Sequence, residues 1–277
     1  MNDLLRIAIN AAVEAGAKIE DIYNNHDFEI EIKPDSSPLT KADIAANNII
    51  NSFLSTTSIP IISEENKEID FEIRKNWEMC WIVDPLDGTK EFLRKNGEFT
   101  VNIALVFHGK PILGVVFCPI SKELFYGNVH DKKGYKLIVY EESLQTENWF
   151  DDIYKMIPKE KDDATVKLVG SRSHMNDCTL GFMKELKSQY PSVEVLSIGS
   201  SLKFCLIAEG NADIYPRFAP TMEWDTAAGQ AICEAVGFHV LAKTTLLDLT
   251  YNKPNLLNSD FIVVNNTITL DKKWMRI

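Results

Sequence analysis

The first strong pattern along the chain is helical. Leu4, Ala8, Ala11, Ala12, Ala15, Ile19 and Ile22 recur every three or four residues, with Arg6, Glu14 and Lys18 off that stripe. This predicts an amphipathic helix over residues 3 to 23. Phe28 to Lys33 alternates apolar and charged residues, the pattern of a half-buried strand. Pro34 to Pro38 reads as a turn, and Thr40 and Lys41 lead into a second helix over Ala42 to Leu54. Ile59 to Ile62 is a short apolar run that stops at Ser63-Glu64-Glu65. A second run, Trp81-Ile82-Val83, reads as the end of a buried strand that stops at Asp84, with a short helix expected from Lys90 to Arg94. The charged stretch from Asn66 to Asn76 reads as a surface loop or helix.

From Phe99 the pattern changes to antiparallel strands. Phe99 to Phe107 and Pro111 to Cys118 flank His108-Gly109-Lys110, and Glu123 to Gly127 and Tyr135 to Tyr140 flank a second turn. Glu141 to Ala164 is charged and weakly patterned, and we place a boundary near its start, between halves 1–145 and 146–277. Strand and helix then alternate, as in layered α/β folds. Strands are expected at Val166 to Val169, Val193 to Ile198, Ala212 to Tyr215 (reaching Arg217), His239 to Leu241 and Phe261 to Val264. Helices are expected at Thr179 to Ser188, Leu202 to Glu209, and from Trp224-Asp225-Thr226 onward. The fold class is therefore α/β, with an α+β first half and an α/β second half.

Composition narrows the function. At 277 residues, 45% hydrophobic and 25% charged, the chain can bury a sizeable core. A formal charge of −11 argues against a nucleic-acid-coating surface. Local basic residues or metal ions can still admit a small anionic substrate. Cys80, Cys118, Cys178, Cys205 and Cys233 are scattered without CxxC spacing, which predicts reduced thiols and a cytoplasmic setting. No signal peptide or membrane span is read from the sequence.

The candidate chemistry lies where strands end. Pro85 fixes its own φ and pushes Asp84 towards an extended conformation, so the Asp84-Pro85-Leu86-Asp87 turn is stiff and can aim both carboxylates at one volume. Two hard oxygen ligands suit Mg²⁺. Gly88 and Thr89 would open a helix and offer N–H groups to a phosphate. Glu64 and Asp225 repeat the pattern at a strand end and a helix start. Asp43, taken alone, is explained as an acid complementing the dipole of its helix. Polar, partly basic turns follow the later strands: Ser171 to His174, Ser200 with Lys203, and Arg217. Ligands of α/β sheets bind beyond such strand ends. The simplest assembly is one cleft, with acids and metals on one side and the rest of a phosphorylated substrate on the other.

Asp84-Pro85-Leu86-Asp87-Gly88-Thr89, with Ser63-Glu64-Glu65 and Trp224 to Gly229, resembles the inositol monophosphatase superfamily. Thr89 to Phe92, Gly97 to Asn102 and Ser197 to Cys205 look like its bacterial 3′(2′),5′-bisphosphate nucleotidase branch. The resemblance covers most of the chain and implies an αβαβα layered sandwich with two or three Mg²⁺ ions. It implies that Glu64, Asp84 and the Leu86 carbonyl hold one ion, that Asp84, Asp87 and Asp225 hold a second, and that Glu64 shares a third. Asp43 and Thr89 match the pair that activates water, which raises Asp43 above a dipole complement. Gly88 and Thr89 would seat the phosphoryl group. His174, Ser200, Lys203 and Arg217 would contact the nucleotide. The implied substrate is a small nucleotide bisphosphate, with lithium inhibition expected. Peripheral attachment to the inner membrane, the oligomeric state and the roles of Glu65 and Glu223 are left open.

Overall fold

The computed structural model describes residues 1–25, 30–33, 38–140, 148–160, 164–170, 176–265 and 268. Helix α1 (Asn2–Asn25) buries the expected stripe against helix α2 (Lys41–Leu54) and a six-stranded sheet. Between the two helices, β1 (Glu31–Ile32) and β2 (Pro38–Leu39) form a short antiparallel ribbon. The sheet runs in the order β3 (Ile61–Ser63), β4 (Met79–Asp87), β5 (Thr100–Phe107), β6 (Lys110–Cys118), β7 (Glu123–Asn128) and β8 (Lys133–Ile138). Only the β3–β4 pair is parallel. Period-two alternation gives this sheet two apolar faces. Trp81, Val83, Ile103 and Leu105 join the core under α1 and α2, while Cys80, Ile82, Ala104 and Val106 join the core on the opposite side. Two short helices interrupt the strands, α3 (Phe71–Arg74) and α4 (Thr89–Leu93).

The second half supplies β9 (Thr165–Gly170), α5 (Asp177–Gln189), β10 (Ser192–Ser197), α6 (Leu202–Ala208), β11 (Ile214–Arg217), α7 (Ala227–Ala235), β12 (His239–Ala242) and β13 (Phe261–Val264). Its sheet runs β10-β9-β11-β13-β12, with β10, β9 and β11 parallel and the other pairs antiparallel. Helices α6 and α7 fill the space between the two sheets, and Phe182 and Leu186 of α5 pack on the outer face of the second. The layers therefore run αβαβα. Helix α7 sits deep because cross-strand neighbours Gly114, Gly127 and Gly134 lie beneath it. A Cβ at Gly114 would come within 2.3 Å of the Ala228 carbonyl oxygen. Since α7 begins two residues after Asp225, this close approach helps set the depth of that acid.

Three expectations need correction. Among the described residues, the Phe28 to Lys33 segment is not half-buried: Glu31 and Ile32 pair, but Ile30 and Ile32 are 53% and 69% exposed, with no described layer over them. Residues 28–29 and 34–37 lie outside the described residues. The Asn66 to Asn76 stretch is not wholly a surface element, since Arg74 of α3 is buried and donates to Asn252 Oδ1 at 2.7 Å and the Lys253 carbonyl at 3.2 Å. Finally, β4 does not stop at Asp84 but continues through Asp87.

Candidate active site

That continuation creates the geometry of the site. Asp84 and Asp87 are three residues apart, so a regular strand would point them to opposite faces. The register instead pairs Asp84 with Asn102 and Asp87 with Thr100, leaving one extra residue on β4. Pro85, with no N–H to pair, suits this bulge. The bulge brings the two carboxylates to the same side. Asp225 joins them from the turn before α7, and oxygens of Asp84, Asp87 and Asp225 all lie within 4.8 Å of one another. The donors that reach these carboxylates are neutral. Leu86 N–H donates to Asp84 Oδ1 at 3.0 Å, Met222 N–H to Asp225 Oδ2 at 2.8 Å, and Ser201 Oγ–H to Asp87 Oδ2 at 2.8 Å.

The acids disturb one another. Asp84 is 1% exposed, and burial raises its pKa well above the ordinary carboxylate range, with Glu64, Asp87, Asp225 and Asp43 adding to the shift. Burial and the neighbouring Asp87 push Asp225 up to about 7. Burial also raises Glu64, partly offset by Lys33, whose Nζ lies 2.7 Å from Glu64 Oε1 and 2.5 Å from Glu65 Oε1. Crowded hard oxygens under mutual repulsion fit a divalent cation, which would relieve that repulsion. Glu64, Asp84, Leu86, Asp87, Thr89 and Asp225 line one cavity of about 260 Å³.

Asp43 both caps its helix and faces Thr89. It is the acid of a capping box: Thr40 N–H and Oγ–H donate to Asp43 Oδ2 at 2.8 and 2.5 Å. Its other oxygen, Oδ1, lies 3.3 Å from Thr89 Oγ1. The Thr89 hydroxyl also lies 3.4 Å from the Leu86 carbonyl oxygen. Asp43 is 2% exposed, and burial raises its pKa against the lowering by Thr40. Gly88, at φ +96°, makes the left-handed turn into α4.

A second cavity of about 120 Å³ shares Asp87, Gly88 and Asp225 with the first and adds Ser200, Ser201, Lys203, Arg217 and Thr221. Lys203 is buried and donates to the Ser200 carbonyl at 2.5 Å; burial pulls its pKa down to about 8. Arg217 Nη2 donates to the Pro220 carbonyl at 3.0 Å. Among the described residues, Arg217 Nε and Thr221 Oγ1 are buried without a hydrogen-bond partner. The structure thus gathers every sequence-predicted site residue except His174, which lies outside the described residues.

Sequence reasoning missed five contacts. Asn102 Nδ2 donates to Ser201 Oγ at 2.9 Å and to Asp87 Oδ2 at 3.3 Å, tying the two halves at the acid cluster. Ser201 Oγ also lies 2.9 Å from the Asp225 carbonyl. Glu98 Oε2 accepts from Gly199 N–H at 2.7 Å, and Lys33 grips Glu64. Thr100 and Asn102 stood out as polar residues in an apolar strand, a signal that was available. Lys33 gave none. Glu223, left open before, is turned into a structural role: fully buried, it accepts from Lys253 Nζ at 2.6 Å and Asn252 N–H at 2.6 Å.

The sequence matches the model of the inositol monophosphatase family over residues 1–275. The chain belongs to the inositol monophosphatase family. Within that family it is 47% identical over 234 residues to the 3′(2′),5′-bisphosphate nucleotidase CysQ of Buchnera aphidicola, covering 82% of this chain and 79% of the relative. It is 44% identical to CysQ of Escherichia coli K12, covering 83% and 86%. The crystal structure of CysQ from Bacteroides thetaiotaomicron superposes with a TM-score of 0.80 at 42% identity, covering 94% of this chain and 96% of that one. A Thermotoga maritima inositol monophosphatase shares the fold at a TM-score of 0.72 and 19% identity. The family is metal-dependent, in keeping with the buried acid cluster.

Proposed function

We infer that the protein is a 3′(2′),5′-bisphosphate nucleotidase, a phosphate monoester hydrolase converting adenosine 3′,5′-bisphosphate to AMP and phosphate. The observation that carries this reading is the shared wall between an acid-lined cavity and a cation-lined one, in a chain 42–47% identical to CysQ nucleotidases. The acids suit Mg²⁺. Glu64, Asp84 and the Leu86 carbonyl would hold one ion, Asp84, Asp87 and Asp225 a second, and Glu64 would share a third. When bound, such ions supply positive charge to the phosphoryl oxygens and make water more acidic.

The chain's own groups do the rest. Thr89 Oγ1 orients the attacking water, and the proton passes through it to Asp43 Oδ1, which already faces that hydroxyl. Gly88 and Thr89 N–H groups hold the phosphoryl oxygens. Across the shared wall, Lys203 supplies a point charge and Arg217 a planar fork to the second phosphate. Ser200 and His174 complete the nucleotide contacts. Residues 1–145 and 146–277 thus divide the work: the first half supplies most acids, the second the cations and Asp225. The five cysteines are free thiols, which supports a reducing, cytoplasmic setting. No helix among the described residues is long and apolar enough to cross a membrane.

The test is phosphate release from adenosine 3′,5′-bisphosphate and inositol 1-phosphate, with and without Mg²⁺. Mg²⁺-dependent release with AMP as product and strong preference for the nucleotide is expected. Comparable kcat/KM for the two would overturn the nucleotidase reading, and nucleotide binding without release would make the protein a sensor.

A further inference from the structure

Helix α2 carries a polar stripe, Asp43, Asn47 and Asn51, at the four-residue spacing that stacks side chains on one helix face. Asp43 reaches Thr89. The other two face the turn after β3. Asn66 closes that turn, its N–H donating to the Ser63 carbonyl at 3.2 Å. Asn66 Oδ1 accepts from Asn47 Nδ2 and from Asn51 Nδ2, each at 3.0 Å, and Asn66 Nδ2 lies 3.2 Å from Asn51 Oδ1. Ser63 Oγ–H donates to Asn47 Oδ1 at 2.8 Å. Glu64 lies between the two clamped residues, Ser63 and Asn66. Both Asn47 and Ser63 are buried, so losing a partner would strand a polar group with little access to water.

We propose that this asparagine ladder is a positioning device. It holds the Glu64 turn at a set distance from Asp43 and thereby sets the affinity of the ion that Glu64 holds beside the attacking water. The turn needs such bracing because Lys33 competes for the same carboxylate at 2.7 Å. Without the ladder, Glu64 is free to shift with Lys33 and lose its set distance from Asp43. The inference rests on the assignment of Glu64 and Asp43 made above.

The test uses the full chain with Mn²⁺ as the probe, free Mn²⁺ being followed by electron paramagnetic resonance without substrate. The variants are Asn66→Ala and Asn51→Ala. The second places a better helix former at a helical position, so it decides the question if the first fails to fold. Groups that orient metal ligands typically change metal affinity by about 10–100-fold. The weakest Mn²⁺ site should therefore weaken about tenfold in both variants. The Mg²⁺ concentration for half-maximal phosphate release should rise by a similar factor, with KM for the nucleotide unchanged at saturating Mg²⁺. Lower thermal stability with wild-type Mn²⁺ binding would overturn the proposal, because it marks a merely structural role. Wild-type behaviour in both variants would overturn it as well. A wild-type protein that binds no Mn²⁺ would sink the metal assignment itself, an outcome distinct from failure of the ladder alone.

Discussion

The acid wall and the cation wall of the cleft are built in opposite ways. Two acids of the acid wall, Asp84 and Asp87, come from one short stretch of β4, and they and Asp225 meet neutral donors. Only Glu64 at its edge meets a cation, Lys33, and burial and mutual repulsion raise the pKa values of Asp84 and Asp225. The cation wall comes from α6, β11 and the turns around them, and its charges are partly spent on the chain's own carbonyls: Lys203 on Ser200, Arg217 on Pro220. One wall is a site in want of a cation. The other is a braced surface with donors left over. Loss of an acid should therefore damage the chemistry, and loss of a cation should damage binding.

The largest effect should come from Asp84→Asn. Asp84 is the side chain shared between two ion sites in the proposed arrangement, so kcat should nearly vanish and Mg²⁺ binding by calorimetry should weaken, with circular dichroism unchanged. Substantial turnover at saturating Mg²⁺ would break the contrast on its acid side. Next come Asp43→Ala and Thr89→Ala, each expected to lower kcat by about 10²–10⁴ while keeping nucleotide affinity. Since both act on one water, the double variant should lose far less than the product of the two. Fully multiplicative losses would separate their roles.

On the cation side, Lys203→Ala should raise KM for the bisphosphate by about 10–100-fold, as expected for one charged contact, and change kcat little. A collapse of kcat at constant KM would move Lys203 into the chemistry. The smallest effect is on stability against pH. Asp225 at about 7 and Asp84 well above its ordinary range keep protons in the folded, metal-free protein. The unfolded chain loses them near the ordinary aspartate value of about 3.9. Where the folded state binds more protons, stability falls as pH rises. Without metal the melting temperature should therefore fall between about pH 4 and pH 7, and added Mg²⁺ should remove most of that fall. A metal-free melting temperature that rises over this range would contradict the electrostatic picture of the acid wall.

The same contrast explains what could be read in the chain. Asp84, Leu86, Asp87 and Thr89 lie within six residues, so local backbone chemistry announces them. Even there the bulge went unseen, because it exists only in the pairing of β4 with β5. The layered fold was legible because apolar periodicity marks β4, β5, α1 and α7. The exposed ribbon of Ile30 and Ile32 was not, because alternation shows a possible face and not whether anything covers it. Asn102, Ser201 and Lys33 escaped assignment for a related reason: their partners are 15 to 114 residues away. A hydrogen bond of that range leaves no local pattern. Glu223 lies two residues before Asp225 in sequence with its role open there, and only the 250–253 loop that it binds shows where it points.

The central claim is that both walls act on one molecule. It is tested most directly by comparing kcat/KM for adenosine 3′,5′-bisphosphate and adenosine 3′-monophosphate in the wild-type protein and in the Lys203→Ala/Arg217→Ala double variant. The wild type should favour the bisphosphate by roughly 100-fold or more, the value of one or two charged contacts. The double variant should lose most of that preference while its Mg²⁺ requirement stays unchanged. A preference that survives the double substitution would contradict the account.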